Sequence, residues 1–129
     1  MTRAEKRNRS DRRGVGDEAE ALVVEHYQRA GWTVRDRNVL CRRGEVDLVV
    51  EKGRALAFVE VRMRSTAVWG DPSQTVGRAK QRKVVLTALR YLQQHRILER
   101  VIQFDVASVV GRGRTGVVEI IPDAFEAGF

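Results

Sequence analysis

Gly44-Glu45-Val46-Asp47-Leu48-Val49-Val50, followed by Phe58-Val59-Glu60-Val61-Arg62, is the stretch whose reading decides the fold. Side chains alternate along a strand, so Glu60 and Arg62 share one face and Val59 and Val61 the other. Apolar residues flank them on both faces, which predicts a central strand. A carboxylate and a guanidinium in mid-strand are costly there unless they are paired or bound to something. Asp47 falls in a neighbouring run, Glu45 to Glu51, and Glu51-Lys52-Gly53-Arg54 reads as the hairpin connection to a strand over Ala55 to Arg64. Two carboxylates on adjacent strands, aimed at one point, form a hard oxygen site suited to Mg²⁺ or Mn²⁺. Such an ion can activate water and offset charge developing on a phosphate. A buried Asp–Arg–Glu ion-pair network with no metal satisfies the same pattern.

Outward from this core, the spacing of Ala21, Val24 and Tyr27 predicts a helix from about Val15 to Ala30, stopped by Gly31. Thr33 to Asn38 reads as a short strand. Residues 65 to 72, with Gly70 and Pro72, read as loop. A long helix is expected from about Ser73 to Gln94, with Val85, Ala88, Leu89 and Leu92 as its apolar stripe. Lys80, Lys83, Thr87, Arg90 and Gln94 fall together on a different face, the ordinary reading of which is a solvated one. Val101 to Val110 and Val117 to Ile121 are two further strands. The segment between them, Gly111-Arg112-Gly113-Arg114-Thr115-Gly116, matches G-x-G-x-x-G literally. A dinucleotide fingerprint needs a helix after it, and here a strand follows, so the segment is a basic hairpin loop.

The 129 residues suffice for one domain with one core. Residues 1–13 carry Arg3, Lys6, Arg7, Arg9, Arg12 and Arg13 and read as a flexible basic arm, with a single domain over 14–129. Lys and Arg number 24 against 17 Asp and Glu, a net charge of +7. That balance points to a polyanionic partner, nucleic acid or an anionic surface. Cys41 is the single cysteine, so no internal disulfide can form and a reduced, cytoplasmic setting is expected. The basic N-terminus leads into no apolar segment of the kind a secretory signal needs. The longest apolar run, Ala55 to Val59, is far too short to span a membrane. His26, His95 and Cys41 lack the paired spacing of a zinc site.

The order of Asp47, then Glu60-x-Arg62, resembles the core of the PD-(D/E)XK nuclease superfamily. More closely, the chain resembles the YraN family of bacterial proteins, themselves similar to archaeal Holliday-junction resolvases. The resemblance runs from about Gly16 to Phe125. It takes in Gly16, Glu20, Gly31, Asn38, Gly44-Glu45-Val46-Asp47-Leu48, Phe58-Val59-Glu60-Val61-Arg62-x-Arg64, Gly70, Lys80, Tyr91-Leu92, Phe104-Asp105-Val106 and Ala124-Phe125. It implies an α/β, restriction-endonuclease-like fold, with a central mixed sheet flanked by helices. It further implies Asp47 and Glu60 as metal ligands and Glu20, with Glu18 as a neighbouring candidate, as an accessory acid on the first helix. Arg62 stands where the superfamily usually has lysine. Arginine stays charged and cannot act as a base, although it can hold a phosphate or steady a transition state.

Three functions are compatible with these readings. The first is a metal-dependent endonuclease acting on DNA, branched or otherwise structured DNA among its substrates. Here Asp47, Glu60, Arg62 and Glu20 form the site, and Arg64, Lys80, Lys83 and Arg90 contact the backbone of the nucleic acid. The second is a nucleic-acid-binding module without efficient cleavage. The third is an assembly protein whose basic face docks an acidic partner. The likeness to junction resolvases raises a homodimer as a further expectation.

Overall fold

The computed structural model of the chain describes residues 10–42, 44–64, 76–111 and 113–127; of residues 10–15 and Arg64 it describes the backbone. In chain order the elements are α1 (Ser10–Arg29), β1 (Thr33–Cys41), β2 (Gly44–Lys52), β3 (Ala55–Arg64), α2 (Arg78–Gln94), β4 (Val101–Val110), a 3₁₀ turn (Gly113–Thr115) and β5 (Val117–Phe125). The strands form one sheet in the order β1-β2-β3-β4-β5. Neighbours are antiparallel except β3 and β4, which run parallel. A parallel pair needs a crossover, and α2 supplies it. This is the α/β mixed-sheet architecture expected of a restriction-endonuclease-like fold, with β3 at its centre.

Each helix covers one face of the sheet. Ala19, Val23, Val24 and Tyr27 of α1 pack on Leu48, Val50, Ala57, Val59, Ala107 and Val109. Val84, Val85, Ala88 and Tyr91 of α2 pack on Leu56, Phe58, Phe104 and Val106 opposite. Period-2 alternation in β3 separates the two sets: Leu56 and Phe58 face α2, Ala57 and Val59 face α1. Burial on both faces explains the nearly continuous apolar reading of β3 and β4.

Several sequence expectations shift. Helix α1 begins at Ser10 rather than Val15, so residues 10–13 of the expected arm are helical, and residues 1–9 lie outside the described residues. Its buried stripe excludes Ala21, which is exposed, and includes Ala19 and Val23 instead. Gly31, at φ 92°, ends it as expected, with the Trp32 amide donating to the Tyr27 carbonyl. Helix α2 starts at Arg78, not Ser73, and the loop read at 65–72 lies outside the described residues. Its second face is not plainly solvated. Thr87 is buried, donates to the Lys83 carbonyl and lies 3.1 Å from Cys41 Sγ, because this side of α2 packs on the end of the β1–β2 hairpin. Gly111 to Gly116 does join antiparallel strands, as a hairpin connection should.

One buried acid locks the layers together. Asp105 of β4 accepts from Tyr27 Oη at 2.7 Å, Gln103 Nε2 at 3.0 Å and the Asp123 amide at 2.9 Å. The last contact closes a bulge where the β4–β5 register shifts between Phe104 and Val106 and Asp123 takes φ 51°. Burial first, then the charge of Asp105 and its hydrogen bond, hold the Tyr27 phenol far above the usual tyrosine range. Tyr27→Phe is expected to cost about 1–3 kcal/mol, and Asp105→Ala more, since it strands three donors. Urea unfolding of the two variants checks this; equal losses would contradict the network.

Candidate active site

The β2–β3 ladder runs from Lys52↔Ala55 to Leu48↔Val59 and stops there. Beyond it β2 stays with β1, as far as Gly44↔Cys41, while β3 stays with β4, as far as Arg64↔Val110. The sheet therefore forks at the level of Asp47 and Glu60. Strand β2 also breaks its alternation here. Val46 and Val49 pack in the cluster under α2, whereas Leu48 and Val50 pack under α1; strict alternation would group Val46 with Leu48. Asp47 sits at that break.

In the fork the Asp47 carboxylate takes over from the missing ladder, accepting the Val61 amide at 2.7 Å on Oδ2. Its other close partner is Glu60. Burial first, then the hydrogen bond shared with Glu60 and the Glu60 charge, push the Asp47 pKa up to about 9; the Val61 amide pulls the other way. At neutral pH the pair thus holds a proton between its two carboxyl groups. Lys80 completes the cluster, its Nζ 3.0 Å from Glu60 Oε2. The Glu60 side chain is only 5% exposed and that of Lys80 42%, so the ammonium reaches into the fork from solvent. Lys80 belongs to the first turn of α2, which carries no acidic residue.

Of the residues expected in the site, the structure brings Asp47, Glu60 and Lys80 together. Glu20 reaches the sheet from α1, accepting from Asn38 Nδ2 at 3.3 Å. Asn38 lies between the pairs Arg37↔Leu48 and Val39↔Val46, which sets it across from Asp47, and its φ of 52° marks a local distortion of β1. Glu18 is exposed. Arg62 is half-buried and pairs in register with Ser108 of β4, whose buried hydroxyl has no hydrogen-bond partner among the described residues. Lys83 and Arg90 are exposed on α2, and Lys83 packs so closely on Gly44 that a Cβ there would meet Lys83 Cβ at 3.0 Å. The Arg64 side chain lies outside the described residues.

Sequence reasoning assigned Lys80 to nucleic-acid backbone contacts and did not place it on Glu60. The two are 20 residues apart across a crossover, and no periodicity links a helix position to a strand position. In the sequence Asn38 stands only as one residue of the family resemblance, with no role attached. A cavity of about 250 Å³ lies at the other end of α2, lined by Val85, Leu89, Leu92, Ile102, Phe104 and Phe125. It is mostly apolar, with Asp123 and Glu126 also in its lining, and neither Asp47, Glu60 nor Lys80 lines it.

Two carboxylates fit a hard cation that keeps most of its own water, as Mg²⁺ does. Among the described residues no group of three or more His, Cys, Asp or Glu side chains is placed to hold a metal, so a closed zinc-type cage is not what this fork offers. No described helix is long and apolar enough to cross a membrane.

The comparisons with known proteins agree on one family. Residues 19–109 match the model of the uncharacterised protein family UPF0102. A UPF0102 protein of Myxococcus xanthus is 54% identical over 119 residues, covering 92% of this chain and 94% of the relative. One from Methylobacillus flagellatus is 42% identical over 113 residues, 88% of this chain and 97% of the relative. One from Geobacter metallireducens is 35% identical over 117 residues, 91% and 96%. On this match, which spans the helix α1, the fork and the crossover helix alike, the chain belongs to the UPF0102 family, the YraN family that its sequence resembles.

Proposed function

We propose that this protein is a metal-dependent endonuclease acting on DNA, branched or otherwise structured DNA among its substrates. The observation that carries the reading is the Asp47–Glu60 pair at the fork of the sheet, two carboxyl groups set side by side with a proton held on Asp47, Glu60 buried and Asp47 half-buried. Mg²⁺ or Mn²⁺ would be held by Asp47 and Glu60, displacing that proton. The ion would supply Lewis acidity, lowering the pKa of a bound water and offsetting charge on a phosphate. The chain's own residues do the rest. Arg62, two residues along β3 from Glu60, serves as a hydrogen-bond donor to the phosphate. Glu20, anchored on Asn38, stands on the α1 side as an accessory acid. Exposed Lys83 and Arg90 on α2 supply backbone contacts that favour affinity over sequence reading.

A second reading, binding without efficient cleavage, draws on the arginine at position 62 and on the limited donor set of the fork. Plasmid nicking with Mg²⁺ or Mn²⁺ decides between them. Calorimetric titration with Mn²⁺ is expected to show uptake by the wild type that Asp47→Ala abolishes, with nicking lost in the same variant. Equal Mn²⁺ uptake by both proteins would sink the metal site; metal uptake without nicking would favour the binding module.

The proton shared at the fork has a consequence for stability. A carboxyl whose pKa is raised on folding binds more protons folded than unfolded, so stability falls as pH rises from the unfolded value near 3.8 to the folded value of about 9. Asp47→Asn keeps the shape of the protonated acid and abolishes the titration. At pH 8 it is expected to be more stable than wild type by at least about 1 kcal/mol, with the advantage vanishing near pH 4. Thermal melts across this range without metal test it, and an advantage independent of pH would contradict the shared proton.

With a net charge of +7, affinity for generic duplex or branched DNA is expected to fall steeply with salt, by roughly tenfold or more from low to moderate ionic strength. Fluorescence anisotropy with unrelated sequences measures it. A flat salt profile would favour a protein partner for the basic face.

A further inference from the structure

The ion pair between Lys80 and Glu60 is more than the metal reading requires. A lysine devoted to the nucleic-acid backbone would extend from the surface of α2, yet Lys80 Nζ lies 3.0 Å from a carboxylate that is almost wholly buried. Its stem is long and rotatable, and 42% of the side chain remains exposed, so the ammonium can leave the fork without unfolding anything. Glu60 has no such freedom, fixed in the central strand and paired there with Val106 of β4. A divalent cation on Glu60 opposes the Lys80 ammonium there, because within about 4 Å the two repel each other even at a generous effective dielectric constant.

We propose that Lys80 is the resident counter-ion of the site: it holds Glu60 while no metal is bound, yields that carboxylate to an arriving divalent cation, and turns its ammonium to the phosphate being attacked. The inference rests on the metal reading above and adds an exchange of partners to it. The site would be kept neutral when empty, and the lysine that β3 lacks at position 62 would be delivered from the first turn of α2. Freed from Glu60, the ammonium is a compact donor at the mouth of the fork, complementing the bulkier Arg62.

The exchange makes a prediction opposite in sign to that of a plain phosphate-binding lysine. Removing the ammonium removes a competitor, so metal should bind more tightly. Calorimetric titration of the full chain with Mn²⁺ at constant pH should show Lys80→Met binding about five- to tenfold more tightly than wild type, the modest factor reflecting the half-exposed head of Lys80. Lys52→Met, which removes the same charge at the far end of β2, should bind like wild type. At saturating Mn²⁺, Lys80→Met should nick plasmid at least about tenfold more slowly, having lost a donor to the transition state. Lys80→Gln carries the same expectations should the methionine variant fail to fold. Unchanged or weaker Mn²⁺ affinity in the Lys80 variant, while wild type binds, overturns the exchange alone. Wild-type nicking by the variant at saturating metal overturns the turn toward phosphate. A wild-type protein that takes up no Mn²⁺ removes the metal reading, and the exchange with it.

Discussion

Holding two carboxyl groups side by side in a valine-rich sheet, Glu60 buried and Asp47 half-buried, is the constraint around which this molecule is arranged. Glu60 lies in the central strand with Val59 and Phe58 as neighbours, and Asp47 sits against it. A pair of buried negative charges with no compensation would cost several kcal/mol per ion. The protein meets this cost in three ways at once. One proton stays on the pair, the Val61 amide donates to Asp47, and the Lys80 ammonium reaches Glu60. Each device depends on the others' geometry. The Val61 amide is free to donate only because β2 has parted from β3, and Lys80 reaches Glu60 only because the first turn of α2 lies over the parting.

The position of α2 is in turn set by small contacts at its near side. Gly44 leaves room for the Lys83 backbone and stem, and Thr87 packs on Cys41 at the tip of the β1–β2 hairpin. Farther along, Arg35 Nε donates to Tyr91 Oη at 3.0 Å and ties the helix to β1. A larger residue at 44 would lift the helix from the hairpin and withdraw Lys80 from the fork. The core under α2, centred on Phe58, Tyr91 and Phe104, holds the other side of the helix. The carboxylate cluster and the hydrophobic core are thus two ends of one helix–sheet contact.

A comparison with Asp105 shows how differently a buried acid can be treated. Its oxygens receive a phenol, a side-chain amide and a backbone amide. All are neutral donors fixed in place by the fold, so nothing can be exchanged, and the residue joins α1, β4 and β5. Glu60 receives an ammonium on a flexible stem, half in water. The two acids lie on neighbouring strands, with Val59↔Asp105 and Glu60↔Val106 in register, yet one faces α1 and the other α2. Alternation along the strands puts a fixed anchor on one face and an acid with a flexible partner on the other.

Much of this was legible in the sequence. The strand over Ala55 to Arg64 and the strand over Val101 to Val110 have the bounds their apolar runs suggested, because strands buried on both faces have the strongest compositional signature. Asp47 and Glu60 stood out as a pair because acids interrupting such strands are rare and costly. Gly31 and the hairpin at Gly53 followed from local backbone chemistry. What the sequence could not supply was anything decided by the third dimension. The break in alternation at Asp47 follows from the parting of two strands, and nothing within β2 itself announces it. The stripe of α1 was misplaced by including Ala21, since alanine is equally at home inside and outside and only packing chooses. Lys80 read as one more cation on a basic helix. Its meeting with Glu60 depends on where a crossover helix lands on the sheet, a distance in space that no spacing along the chain encodes.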